Sequence, residues 1–262
     1  MRRLGLALSS GGPRGVAHIG VLQALSDHGI PIHAIAGASV GAQVGGLYAA
    51  GVPLAKITGL WRDMGFTGMA KGLLPTFPWR GWSSGEEVKR VLAPLVGERR
   101  IEGLSIRFAA VATDLHTGEG VAITHGPLVE AIRASVSVPG LFVPAQWEGR
   151  LLVDGGLVDP LPVETARALG AEVVLAVDVL VRPREKQLVR PNVISVLFQM
   201  ATIFQKRVAE LEVKVTAPDI LLEPDFGDRP PTYADIGGGI EAGYQAVEAA
   251  LPELRGLLGL DQ

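Results

Sequence analysis

Residues 4–50 pass twice through the same succession: a short apolar run, a turn of small residues, and a helix. Residues 4–8 read as a buried strand and residues 9–15 as a glycine-rich turn. Residues 16–28 carry helical periodicity, with Val16, Ile19, Leu22 and Leu25 on one face, and Gly29 stops them. Residues 32–36 form a second strand, and residues 40–50 a helix of small residues ended by Gly51. Strand–turn–helix repeated in this way predicts a parallel sheet with helices on both faces. The pattern continues with helices expected at 86–96, 127–135, 162–169, 193–215 and 239–258. Strands are expected at 106–112, 120–124, 151–153, 172–177 and 219–222.

A chain of 262 residues with 48% hydrophobic residues can bury one large core, and no repeat, low-complexity tract or domain boundary divides it. Charged residues are only 19%, against about 25% in ordinary soluble domains. Either much of the chain is buried or part of its surface is apolar and meets something greasy. The net charge of -3 gives no field to attract nucleic acid. The absence of cysteine excludes disulfides, thiolate metal sites and a thiol nucleophile, and it fits a reducing cytoplasm. The first apolar stretch stops after five residues, too short for a secretion signal. Residues 34–55 carry no charge over the length of a membrane span, but their glycines, Ser39, Gln43 and Pro53 fit a buried strand, turn and helix better.

Gly37-Ala38-Ser39-Val40-Gly41 lies where a strand gives way to a helix. A nucleophilic serine needs that context: a tight turn projects its hydroxyl, small neighbours let strand and helix approach, and the helix N-terminus faces the site. Gly81-Trp82-Ser83-Ser84-Gly85 has the same spacing, but Pro75 and Pro78 interrupt the stretch before it. There, Ser84 followed by Glu87 reads as a capping box. The competing reading of Ser39 is a serine in a buried small-residue turn. Ser10-Gly11-Gly12-Pro13-Arg14-Gly15 lacks the first glycine and the downstream acid of a dinucleotide loop, and the Gly-Lys-Ser/Thr of a P-loop. It suits an oxyanion hole, with Gly11, Gly12 and Arg14 able to donate N–H groups and Pro13 unable to.

The base has two kinds of candidate. A triad of the usual order would use His116 or His125 with an acid such as Asp63 or Asp114. A carboxylate acting directly on the serine would be Asp154, just past a strand and before Gly155-Gly156, with Asp114, Asp159 and Asp178 as alternatives. His18 is assigned to structure. Residues 66–82, with Phe66, Phe77, Trp79 and Trp82 among Gly and Pro, read either as a lid or membrane-contact surface or as core packed under a loop.

Taken in order, Ser10 to Gly15, Gly37 to Gly41 and Asp154-Gly155-Gly156 resemble the oxyanion loop, nucleophile elbow and Asp-Gly-Gly motif of the patatin-like phospholipase family. Residues 17–22, 112–119 and 134–139 also resemble bacterial members. The resemblance covers about residues 4–180; the tail from 181 to 262 matches loosely and reads as a helical extension of one catalytic domain spanning 1–262. It implies a three-layer α/β/α fold with a mostly parallel central sheet, and a Ser39–Asp154 dyad without histidine. It implies oxyanion donors at Gly11, Gly12 and Arg14, no metal or cofactor, and hydrolysis of phospholipid or lysophospholipid esters through an acyl-enzyme. The implied partner is a lipid or acyl ester, with transient membrane contact through residues 66–82 and a cytoplasmic or peripheral location. An acyltransferase or peptidase on the same dyad, or a non-catalytic regulatory protein, are the alternatives. Two positions depart from the family pattern: Ser10 replaces a glycine, and Asp159 stands where Asn is common.

Overall fold

The computed structural model describes residues 1–63, 83–180, 193–227 and 236–260. The strands are β1 (Leu4–Leu8), β2 (Ile32–Ala38), β3 (Arg107–Asp114), β4 (Gly120–Ile123), β5 (Ala145–Trp147), β6 (Arg150–Asp154), β7 (Val173–Val177) and β8 (Ile220–Leu222). The helices are α1 (Val16–Asp27), α2 (Val40–Ala49), α3 (Leu54–Asp63), α4 (Glu86–Val96), α5 (Leu128–Ser135), α6 (Val163–Ala168), α7 (Val193–Thr216) and α8 (Gly237–Leu258). The strands form one eight-stranded sheet in the order β5-β6-β3-β2-β1-β7-β8, with β4 paired to β3 off that path. The block from β3 through β2, β1 and β7 to β8 is parallel, whereas β4, β5 and β6 add antiparallel pairs.

Side-chain alternation along the central strands explains the layers. Leu4, Leu6 and Leu8 of β1 join Val173, Leu175 and Val177 of β7 in one large core with α1, α2 and α8. Ala7, Ala36 and Ala176 point the other way, into a smaller cluster with Val163 and Ala166 of α6 and Ala209 of α7. This is the three-layer α/β/α arrangement expected from the strand–helix alternation.

Helix α1 departs from the one-face expectation, because residues 16–22 are all buried. Its outer side is covered by α8, and the two backbones touch. A methyl group at Gly20 would fall 1.9 Å from the Ile240 carbonyl oxygen, and one at Gly243 would fall 2.0 Å from that of Ala17. The residues from 181 onward therefore do more than extend the domain: β8 adds a parallel strand and α8 closes the main core. Arg2 N–H donates to the Leu258 carbonyl (3.1 Å), so the first and last described elements meet.

Two elements were missed in the sequence. Residues 54–63 form α3, whose Ile57, Leu60 and Trp61 are buried at helical spacing. Residues 145–147 form β5, too short to show a pattern. Residues 34–55 hold most of β2 and all of α2 inside the core, and no helix among the described residues is long and apolar enough to cross a membrane. Residues 66–82 lie outside the described residues.

Replacing Gly20 by Ala forces α1 and α8 apart. Overpacking of this kind costs about 1–3 kcal/mol, read as a lower urea midpoint with an unchanged slope.

Candidate active site

Ser39 occupies the single residue between β2 and α2, with φ 52° and ψ -119°. A non-glycine residue at positive φ is strained by about 1–3 kcal/mol and persists only where its surroundings hold it. Here the neighbours hold it by contact. A methyl at Gly37 would lie 2.4 Å from Ala42 N, and one at Gly41 would lie 2.2 Å from Leu8 O. The turn can be this tight because both positions lack a side chain.

The register of β3 brings the second group to the serine. One edge of β3 is taken by β4 at Ala110–Thr113. The other is shared: β2 pairs as far as Ala38 opposite Val111, and β6 begins with Asp154 opposite Ala112. Adjacent residues of one strand thus face Ala38, which precedes the serine, and Asp154. The Ser39 hydroxyl donates to Asp154 Oδ2 at 2.5 Å. Asp154 Oδ1 accepts Gly156 N–H (2.8 Å), its N–H donates to Ser137 O (2.9 Å), and its own carbonyl accepts the Thr113 hydroxyl (2.8 Å). Asp154 is only 2% exposed. Burial pushes its carboxyl up to about 6, against the pull of the Ser39 and Gly156 hydrogen bonds.

Leu8 at the end of β1 pairs with Gly37, so the glycine loop leaves the sheet beside the serine turn. Gly12 has φ 58° and open space where a side chain would be. Among the described residues, no acceptor takes the N–H of Gly11 or Gly12. The Arg14 side chain turns to the loop after β7, where Nε donates to Val179 O (3.0 Å). Ser10 N–H donates to Pro160 O (2.9 Å), and the Ser10 hydroxyl donates to Gln205 Oε1 on α7 (3.3 Å). His18 lies buried beneath the loop with Nε2 2.9 Å from Ser9 O. Burial lowers its pKa to about 4, so the ring is neutral near pH 7 and Nε2–H is the donor to that carbonyl.

The other candidates sit elsewhere. Asp114 Oδ1 accepts the N–H groups of His116 (2.9 Å) and Thr117 (3.3 Å), which hold its carboxyl below the ordinary range, and so shapes the β3–β4 turn. Asp178 pairs with Lys206 (2.7 Å). Asp159 faces Glu212. Asp63 ends α3. His125 pairs with Glu148 at the surface (2.8 Å). Among the described residues no histidine side chain bonds Ser39. Ser83 is buried, its backbone bridges to residues 141–143, and its hydroxyl accepts Gly85 N–H (3.3 Å). The N-cap of α4 is Gly85, so the expected capping box at Ser84 and Glu87 is incomplete: Ser84 accepts Glu86 N–H (3.3 Å), one step from the cap.

Ser135 escaped attention as a site residue. Its hydroxyl accepts Ser39 N–H (2.9 Å) and donates to Val111 O (2.6 Å), clamping the elbow to β3. Arg133, two residues earlier in α5 and 6% exposed, donates to Ser137 Oγ (2.8 Å) and to the carbonyls of Ser84 and Val143 (both 2.6 Å). No spacing rule announces these contacts, since the last turn of α5 meets the elbow only after the sheet has formed.

The family model for patatin-like phospholipase matches residues 6–167. The chain belongs to the patatin-like phospholipase family. Its patatin-like segment contains the glycine loop, Ser39 and Asp154. An uncharacterized NTE family protein of Mycobacterium bovis is 43% identical over 175 residues, 67% of this chain and 48% of that protein. Lysophospholipase NTE1 of Yarrowia lipolytica is 40% identical over 181 residues, 67% of this chain and 12% of the relative. Its Saccharomyces cerevisiae namesake is 38% identical over 181 residues, 67% of this chain and 11% of the relative. The chain spans less than half the length of these relatives. VipD from Legionella pneumophila matches in fold, with a TM-score of 0.51 over 97% of this chain and 67% of that one, at 14% identity.

Ser135→Ala leaves the Ser39 N–H and the Val111 carbonyl without their shared partner. The expected loss is about 1–3 kcal/mol of stability in urea denaturation.

Proposed function

We propose that the chain is a serine hydrolase of lipid acyl esters, phospholipids or lysophospholipids, working through a Ser39–Asp154 dyad. The observation that carries this reading is the 2.5 Å hydrogen bond from a serine on a strained strand–helix turn to a buried carboxylate. Ser39 Oγ attacks the ester carbonyl carbon while its proton passes to Asp154 Oδ2. Charge develops on the carbonyl oxygen, where the N–H groups of Gly11, Gly12 and Arg14 stabilise it. Collapse of the tetrahedral intermediate expels the alcohol, which takes the proton from Asp154. Water then attacks the acyl-enzyme with Asp154 as base, releasing the fatty acid and free Ser39. The printed names of the yeast relatives, lysophospholipases, support the lipid substrate.

The outer face of α7 fits a lipid surface. Leu197, Met200, Phe204, Leu211 and Val215 are exposed along it, whereas Gln205 on the inner face bonds Ser10 of the glycine loop. An apolar face this long on the helix that abuts the site suits a helix lying in the membrane interface. The enzyme then works at the membrane surface from the aqueous side.

Ser39→Ala and Asp154→Ala should each lower p-nitrophenyl ester hydrolysis on the order of a thousandfold or more. Full activity in Ser39→Ala overturns the reading. Asp154 accepts a proton only when ionised, so kcat should rise with pH through about 6, the value to which burial lifts it. Phe204→Asp and Leu211→Asp should lower hydrolysis of lysophosphatidylcholine in vesicles about tenfold and leave a soluble p-nitrophenyl ester unaffected.

A further inference from the structure

Strands β1 and β7 end side by side: Leu8 pairs with Val177, and Ser9 N–H still donates to Val177 O (3.1 Å). The residues that follow β7 therefore run along the glycine loop. Val179, fully buried, meets that loop with three of its groups. Its N–H donates to Ser9 Oγ (2.9 Å), and its carbonyl accepts Arg14 Nε (3.0 Å). Its side chain covers Gly11, where a methyl group would fall 2.6 Å from Val179 Cγ2. One residue thus touches the loop at its start, at the first proposed oxyanion donor and at the residue that carries the last.

The carboxylate before it holds Val179 in place. Asp178 Oδ1 accepts Leu180 N–H (2.8 Å), which closes a turn around Val179. Asp178 Oδ2 accepts from Lys206 Nζ on α7 (2.7 Å), and both side chains are buried. The same ammonium donates to Glu223 Oε1 just past β8 (2.9 Å), so Lys206 spans the ends of two neighbouring strands. A buried charge is costly unless it is paired, so neither partner of Lys206–Asp178 can leave alone. The residue beside Lys206 reaches the loop directly, since Gln205 Oε1 accepts the Ser10 hydroxyl (3.3 Å). Further along α7, Glu212 Oε2 accepts Leu161 N–H (3.4 Å), next to the Pro160 carbonyl that takes Ser10 N–H. Helix α7 thus braces the glycine loop through both of its flanks.

We propose that Lys206 and Asp178 are positioning residues for the oxyanion loop: the buried ion pair fixes the turn at Val179, and Val179 fixes Gly11 and Arg14 over the carbonyl that Ser39 attacks. This rests on the Ser39–Asp154 reading of the site. Neither residue touches the substrate. N–H donors stabilise an oxyanion best when their positions are set before charge develops, and a loop rich in glycine does not set itself. Without Lys206 the Asp178 carboxylate is buried with no counter-charge and turns toward water. The Leu180 turn then opens, and the Val179 carbonyl shifts away from Arg14. The loss falls on the transition state rather than on substrate binding, so kcat falls while KM holds.

The test is phosphonylation of Ser39 by a fluorophosphonate, run beside p-nitrophenyl ester hydrolysis. In that reaction the Oγ–P bond forms, fluoride leaves, the Ser39 proton passes to Asp154, and the phosphoryl oxygen stands where the carbonyl oxygen would. The variant is Lys206→Met combined with Asp178→Asn, which removes both charges together and keeps an acceptor for Leu180 N–H. The labelled fraction at the end point counts folded sites, whereas the rate constant reads the loop, so poor folding and lost position are told apart. In the paired variant the labelling rate constant and kcat should each fall about tenfold or more, with KM within about twofold of wild type. Arg14→Ala, which removes the far end of the Val179 link, should lower both comparably. The two changes combined should cost less than the product of their separate losses. Wild-type rate constants in the paired variant, a rise in KM alone, or losses that multiply overturn the proposal. Ser39→Ala separates the two readings. Labelling that survives there overturns the dyad, whereas labelling abolished there and unchanged in the paired variant overturns the positioning role alone.

Discussion

Two strands of opposite direction share one edge of β3, and the contact between Ser39 and Asp154 follows from that sharing. Pairing with β2 stops at Val111 and pairing with β6 starts at Ala112, so the chain changes partner between neighbouring residues. A slip of one residue on either side would turn Asp154 to the other face of the sheet. The change of partner also leaves backbone groups to be satisfied. Val111 O takes the Ser135 hydroxyl, and the same hydroxyl receives Ser39 N–H. The group that completes β3 is thus the group that restrains Ser39.

The strain at Ser39 and the raised pKa of Asp154 have a common origin in close packing. Gly37 and Gly41 let backbone meet backbone around a serine held at positive φ, and the Asp154 side chain beside it is almost wholly buried. Burial without a cation partner is what lifts Asp154.

The apolar runs at residues 4–8, 32–36 and 172–177 were legible because buried parallel strands show no polar alternation. The small residues around Ser39 were legible because an elbow admits few others. Asp154 was not separable from Asp114, Asp159 or Asp178 by spacing, because the choice depends on which strand pairs with β3. Resemblance named it, and the β6 register places it beside the serine. Helix α3 carries readable spacing in Ile57, Leu60 and Trp61. Gly20, Gly243, Ser135 and Glu212 were illegible for a shared physical reason. Each acts through a contact with a distant part of the chain, and nothing local to the residue marks that contact.

Arg2 and Leu258 meet at the end of β1 remote from the serine, since β1 runs from Arg2's side toward the glycine loop. A domain whose two ends lie together on its far side can be spliced into a longer polypeptide through a narrow stalk. Segments joined at those two points would leave on the side away from Ser39.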